Sequence, residues 1–405
     1  MTARTPTAPA PTAARARASK ASSPLAAPVR TSVYVHFPWC LAKCPYCDFA
    51  SGAIRRDEVP HDAYADAVLA ELRDRRRALG RRSLVSVFFG GGTPSLWAAE
   101  AVARVVRGVV DAFGDHDPDL EVTLEANPTS LDEHHVAALR RAGVNRLSIG
   151  VQSLADAELR YLGRLHTADG ALASLRAAKP MPRLSGDLMF GLPGVRASAF
   201  RDQAAALLEL GLRHLSVYAL TIEPGTQFGA LHRKGRLPVA SDEAFAETYR
   251  ATEAFLASRG LGHYEVSSYA APGEECRHNL HYWRGGDYLG LGAGAVGCLS
   301  TGAEARRYRN DPRPEAYLAQ PGREAFAEPL GPEDRVREAL MLGLRTSRGV
   351  DLADLRERLG VDPTAGRDRA LARRHDGGDL VHEGDRLRVP TERWLHLDGI
   401  VADLF

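Results

Sequence analysis

The chain has almost no lysine. Across 405 residues lysine stands only at positions 20, 43, 179 and 234, and nearly all the positive charge is arginine. Such a skew fits codon usage in a GC-rich genome better than a phosphate-binding design. The 52 basic and 51 acidic residues leave a formal charge of +1, so no global field attracts nucleic acid. No run approaches the roughly 18 apolar residues of a membrane span, which argues against a transmembrane chain. Cysteine is scarce too, at five residues, and three of the five crowd into positions 40–47. That excludes a disulfide framework and fits a reducing, cytoplasmic compartment.

Acidic residues are missing from the first 47 positions. The first is Asp48, and residues 1–30 are mostly Ala, Pro, Thr and Ser with a few Arg. Prolines at 6, 9, 11, 24 and 28 oppose the amphipathic helix of a transit peptide, so a disordered tail is expected over 1–30.

Beyond the tail, short β-rich runs alternate with helical stretches. The runs are Ser32–Phe37, Leu84–Phe89, Leu120–Ala126, Arg146–Val151, Leu184–Phe190 and His214–Leu220. Between them lie amphipathic segments such as Ala63–Leu79, Ala101–Phe113, Leu131–Ala142 and Ala197–Leu210. This β-α-β rhythm predicts an α/β fold, a partial (β/α)6 barrel over residues 31–230 whose strand ends carry the chemistry. His263–Tyr269 reads as a further strand within an extension over 231–330, followed by Arg277–Trp283 and a Gly-rich stretch, Gly285–Gly297. Over 331–405 the order helix (Asp334–Leu344), helix (Leu352–Leu359), hairpin (Leu380–His382 and Arg386–Val389) predicts a winged-helix-like α+β domain. Its arginines are interleaved with acids, as on a solvated helix face, so no nucleic-acid partner is expected.

The first run leads into Cys40-Leu-Ala-Lys-Cys44-Pro-Tyr-Cys47. Three thiolates in one loop suit an iron–sulfur cluster or zinc. Zinc needs a fourth ligand, from His36, Asp48 or a distant residue. A four-iron (4Fe-4S) cluster held by three thiolates leaves one iron open to an outside chelator. The C-x3-C-x2-C spacing after Tyr34-Val-His-Phe-Pro resembles the radical SAM superfamily, where S-adenosylmethionine fills that vacancy. Asp187, inside an apolar run, is either a ligand to the bound nucleoside or a buried structural carboxylate.

A narrower likeness follows. Tyr34–Cys40, Cys44-Pro-Tyr-Cys47-Asp-Phe49, Gly90-Gly-Gly-Thr-Pro-Ser95, Gly150-Val-Gln-Ser-Leu154 and Asp187-Leu-Met-Phe-Gly-Leu-Pro193 resemble the oxygen-independent coproporphyrinogen III oxidase group, from about residue 32 to the C-terminus. The true oxidase carries a further cysteine where this chain has Phe49. Cys47-Asp-Phe49 and His278-Asn-Leu-His-Tyr-Trp283 are instead similar to the HemW-type heme chaperone branch.

That resemblance implies S-adenosylmethionine contacts from Tyr34, Tyr46, Gly91, Gly92, Thr93, Glu125, Gln152, Arg164, Asp187 and Ala219, with Val296 as a further candidate. It implies a 4Fe-4S cluster on Cys40, Cys44 and Cys47, and heme at His278, Tyr282 and Trp283, with Cys276 an alternative thiolate. Without the family, His278 and Asn279 would read as fixing a loop while Trp283 packs in the core. The implied function is a heme chaperone serving apo-hemoproteins such as respiratory cytochromes, peripheral at the membrane during delivery to membrane respiratory enzymes. No coproporphyrinogen oxidase turnover is expected. The alternative is an anaerobic coproporphyrinogen III oxidase that decarboxylates propionates by a 5′-deoxyadenosyl radical. The catalytic residues stay unassigned, and a homodimer stays open.

Overall fold

A computed structural model describes residues 27–405. The tail expected over 1–30 lies outside them as far as residue 26. Its last residues correct the expectation, because the first strand already begins at Val29 and Arg30 is paired through its side chain to Asp117.

Six parallel strands form where the apolar runs predict them: β1 (Val29–Phe37), β2 (Arg82–Gly91), β3 (His116–Ala126), β4 (Arg146–Gln152), β5 (Arg183–Phe190) and β6 (His214–Ala219). Their alternate residues, such as Val33, Val35, Val87, Phe89, Leu124, Leu147 and Ile149, are fully buried. Helices α1 (His61–Arg77), α2 (Ala99–Phe113), α3 (Glu133–Arg141), α4 (Ala168–Ala177) and α5 (Ala197–Glu209) cover one face, as the crossovers of parallel strands require. Asp132 and Thr167 cap α3 and α4 by accepting from the third backbone N–H downstream.

Later strands depart from the expectation. His263–Tyr269 is not one strand but two short antiparallel ones, β7 (Gly262–Glu265) and β8 (Ser268–Ala270). After helix α6 (Arg277–Trp283), the Gly-rich stretch contains β9 (Asp287–Leu291), which pairs parallel with β1. Glycine disguised this strand. At Gly290 a Cβ would lie 2.1 Å from the Val296 carbonyl, so only glycine fits. Asp287 pins it by accepting from Arg82 at 2.5 Å and from the Ser300 N–H at 2.7 Å. Strands β10 (Val296–Thr301), β11 (Glu304–Asn310) and β12 (Glu324–Leu330) add antiparallel to it. The twelve strands make one open sheet in the order β12-β11-β10-β9-β1-β2-β3-β4-β5-β6-β8-β7.

The C-terminal part has its own hydrophobic core around Val336, Leu340, Leu355, Leu387, Trp394 and Ile400. A helix at Asp368–Asp376, not anticipated, precedes the hairpin, and Val350–Asp351 joins it as a third strand. The unit packs on the barrel through a bridge between Glu265 and Thr346 and through Trp394 against His263.

Candidate cofactor and ligand site

The parallel strands end on one rim, and the loops there enclose a cavity of ≈ 260 Å³. Cys40, Cys44 and Cys47 line it, all free and half-buried. Their loop is short and cross-braced: Cys47 N–H donates to Cys44 O, Ile54 N–H to Cys40 O, and Lys43 Nζ to Phe49 O at 2.9 Å. Burial raises the Cys40 and Cys47 thiols, and the neighbouring cysteines raise them further. A bound metal reverses this by displacing the protons.

The glycine motif packs behind the loop. Gly91 has φ +108°, and a Cβ on it would press into the His36 ring at 2.6 Å. A Cβ on Gly92 would sit 2.4 Å from the Trp39 carbonyl. Gly92 N–H donates to Phe37 O and Thr93 N–H to Trp39 O. These donors are therefore spent on the fold, so the motif works by bringing the cysteine loop against β2.

Opposite the thiols, Gln152 is the one non-glycine residue with positive φ among those described, at 65°. Its Oε1 and the Nε of Arg164 are buried without hydrogen-bond partners. Arg164 is otherwise fixed, donating to Gly150 O at 2.8 Å and approaching Cys44 Sγ at 3.6 Å. A side chain on Gly150 would crowd both, at 3.1 Å from Gln152 and 3.3 Å from Arg164. Strained backbone and orphaned polar atoms facing a cavity mark a place built for a polar ligand. Glu125 accepts from Gly91 N–H at 3.2 Å, and burial, with Asp187 nearby, pushes its carboxyl up to about 8. Burial also raises Asp187, against hydrogen bonds from Ser148 and Ser216. The donor set of three thiols, a guanidinium, an amide and two carboxyls fits a cluster chelated by a zwitterionic nucleoside.

A second and larger cavity, ≈ 770 Å³, adjoins the first. Both share Phe49, Gly91, Glu125, Ser148 and Tyr218 as walls. It is lined by Tyr34, Phe88, His278, Tyr282, Trp283 and Tyr288, and lies toward the upper end of the roughly 300–1,000 Å³ of ordinary ligand pockets. His278 is held by a 2.9 Å hydrogen bond between Nδ1 and Ser86 Oγ and lies against Phe88 at 4.8 Å between ring centroids. Its Nε2 has no partner among the described residues and is not sealed off. Burial holds the ring neutral, pushing its pKa down to about 3.

Tyr46, Gly91, Gly92, Thr93, Glu125, Gln152, Arg164 and Asp187 all meet in the first cavity. Tyr34 does not. It stacks on Phe88, donates to or accepts from His36 Nδ1 at 3.0 Å, and faces the aromatic cavity with Val296. Ala219 lines neither cavity, because strand alternation turns its neighbour Tyr218 inward instead. Cys276 is corrected as well. It is fully buried beside Glu121, burial raises its thiol to about 12, and it lines neither cavity.

Sequence reasoning missed Glu121, Arg146, Arg183 and Ser86. Glu121 accepts from the Arg277 and His278 N–H groups, both at 3.1 Å, and from Arg183 at 2.6 Å. It anchors the start of α6 and thereby sets where His278 stands. Burial opposes its charge, but Arg146, Arg183 and those N–H donors hold its carboxyl below the usual range.

The sequence matches the Radical SAM superfamily over residues 34–204 and the HemN C-terminal domain over residues 330–395. The Heme chaperone HemW of Haemophilus influenzae is 36% identical over 82% of this chain and 87% of that protein. That of Mycobacterium tuberculosis is 35% identical over 92% and 94%. The murine mitochondrial Radical S-adenosyl methionine domain-containing protein 1 is 40% identical over 81% and 76%. Among solved structures, coproporphyrinogen III oxidase (HemN) from Escherichia coli superposes with a TM-score of 0.77 at 21% identity, covering 93% of this chain and 90% of that one. This last likeness is one of fold.

Proposed function

Because the chain belongs to the HemW heme chaperone family within the radical SAM superfamily, we propose that it binds heme in the aromatic cavity and passes it to apo-hemoproteins. The observation that carries this reading is His278. Its Nδ1 is engaged by Ser86 while Nε2 opens on the cavity, an arrangement that leaves a lone pair for iron. The other imidazole on that wall, His36, has both nitrogens occupied, by Tyr34 and the Ala50 carbonyl. Tyr282, 38% exposed, and Trp283 give flat apolar surface near the opening. An exposed rim suits a ligand that is to be handed on, with membrane respiratory enzymes as recipients. Among the described residues no helix is long and apolar enough to cross a membrane.

Cys40, Cys44 and Cys47 would hold the 4Fe-4S cluster. Gln152, Arg164, Glu125 and Asp187 would receive S-adenosylmethionine, and Thr93 and Tyr46 would close the wall behind it. When bound, the cluster supplies an open iron for the amino and carboxylate groups of that cofactor. Arg164 orients the carboxylate as the donor beside Cys44, and Glu125, driven toward its neutral form, offers a hydrogen bond without a competing charge. Coproporphyrinogen oxidase turnover is not favoured by these relatives.

The test is anaerobic reconstitution followed by heme titration. A Soret band is expected that shifts on His278→Ala. Absence of heme binding in fully reconstituted protein would refute the reading, and multiple turnover of coproporphyrinogen would refute the chaperone assignment.

A further inference from the structure

Arg146 is the first residue of β4, at the floor of the barrel, and is only 2% exposed. Its guanidinium makes no hydrogen bond and no ion pair among the described residues, although a cation removed from water ordinarily demands one. Its nitrogens are also not sealed within the protein, because the residue lines the floor of the aromatic cavity together with His278, Ser148 and Ser216. The neighbouring carboxylate, Glu121, is committed to Arg183 and to the N–H groups of Arg277 and His278. Asp187, on the other side, accepts from the Ser148 and Ser185 hydroxyls. Each nearby acid thus has partners of its own, and the donor fork of Arg146 is left facing open space.

We propose that Arg146 is a carboxylate-binding residue inside the barrel, pairing with a propionate of the tetrapyrrole whose iron meets His278. The proposal rests on the heme reading and adds an orientation to it. One acidic edge of the ligand points down to the barrel floor, and the rest of the macrocycle lies against Phe88, Tyr282 and Trp283. A guanidinium suits this role because its planar fork matches a carboxylate with two parallel hydrogen bonds and stays charged at every accessible pH. In a water-poor cavity such a pair is also selective, since an ester in place of the carboxylate leaves the donors unmet. The class of ligand follows from the lining: flat, aromatic, carrying at least one carboxylate, and able to accept an imidazole at its centre.

The experiment compares iron deuteroporphyrin with its dimethyl ester on the reconstituted full chain, read by Soret titration. Wild-type protein is expected to bind the free acid roughly ten- to a hundredfold more tightly than the ester, the span of a charge-assisted hydrogen-bonded pair. Arg146→Gln is expected to bring the free acid and the ester to the same affinity, erasing the discrimination. Cluster iron content serves as the fold control. Arg146→Lys keeps the charge and loses the fork, so partial discrimination is expected and provides a readout if the Gln variant does not fold. Equal binding of acid and ester by wild-type protein overturns the proposal while leaving His278 as ligand intact. Undiminished discrimination in a folded Arg146→Gln or Arg146→Lys protein overturns it too. Binding of neither porphyrin overturns the heme reading itself.

Discussion

Replacing Glu121 by Gln tests how α6, and with it His278, is held. Glu121 is 2% exposed, and its two oxygens serve four donors. One takes Arg183 Nη1 at 2.6 Å and Arg277 N–H at 3.1 Å, the other His278 N–H at 3.1 Å and the Cys276 thiol at 3.5 Å. Whichever way a glutamine is placed, its amide nitrogen meets donors, and Arg183 and Arg146 lose a counter-charge. Removing one partner of a buried pair costs about 3–5 kcal/mol. Retention of one accepting oxygen places Glu121→Gln at the lower end, near 3 kcal/mol, or roughly 150-fold in the opening equilibrium of the segment. The helix spans seven residues and is too short to persist undocked, so the loss falls on its docking. Amide hydrogen exchange is the assay: the amides of Arg277 and His278 are expected to exchange about a hundredfold faster, and heme affinity to fall in parallel. Unchanged exchange across 276–284 would refute the reasoning. The pH sign follows from the depressed carboxyl. Its stabilisation is full above the unfolded value near about 4.3 and is lost as the pH falls through the lower folded value.

Ser86→Ala removes the partner of His278 Nδ1 and frees the ring to turn; heme titration is expected to show about tenfold weaker binding with the Soret band retained. Arg164→Lys cannot span Gly150 O and Cys44 at once, so isothermal titration should show S-adenosylmethionine affinity falling roughly tenfold with cluster iron unchanged. Glu125 titrates in the opposite sense to Glu121. Because its folded pKa is raised to about 8, the apoprotein is expected to lose stability as pH rises from about 4.5 to 8, by at most about 1.4 kcal/mol per unit. Glu125→Gln should flatten that slope in urea unfolding, and an unaltered slope would assign it elsewhere.

The cysteine loop was legible because its chemistry is local. Three thiols within eight residues, after an apolar run and before Asp48 and Phe49, need no partner from elsewhere to be read. The six parallel strands were legible for a similar reason, since burial on both faces writes itself as continuous apolar runs. Strand β9 was not, because close approach to β10 forces glycine where a strand would carry an apolar residue. Facing was hidden too. Tyr34 and Ala219 belong to the right strands, but which cavity Tyr34 looks into, and which face of the alternating Tyr218–Ala219 pair lies toward the cavity, are decided only when the strands assemble.

What the sequence determined by itself is the cofactor loop, the rhythm of the barrel and the family. Tertiary structure alone decided the environment of the ligand-facing groups. Glu121 reaches His278 across 157 positions, and Ser86 reaches it across 192. Arg146 looks like any charged residue at the start of a strand until its neighbours prove to be committed elsewhere. Electrostatic roles depend on the distance between charges and their removal from water. Separation along the chain encodes neither quantity.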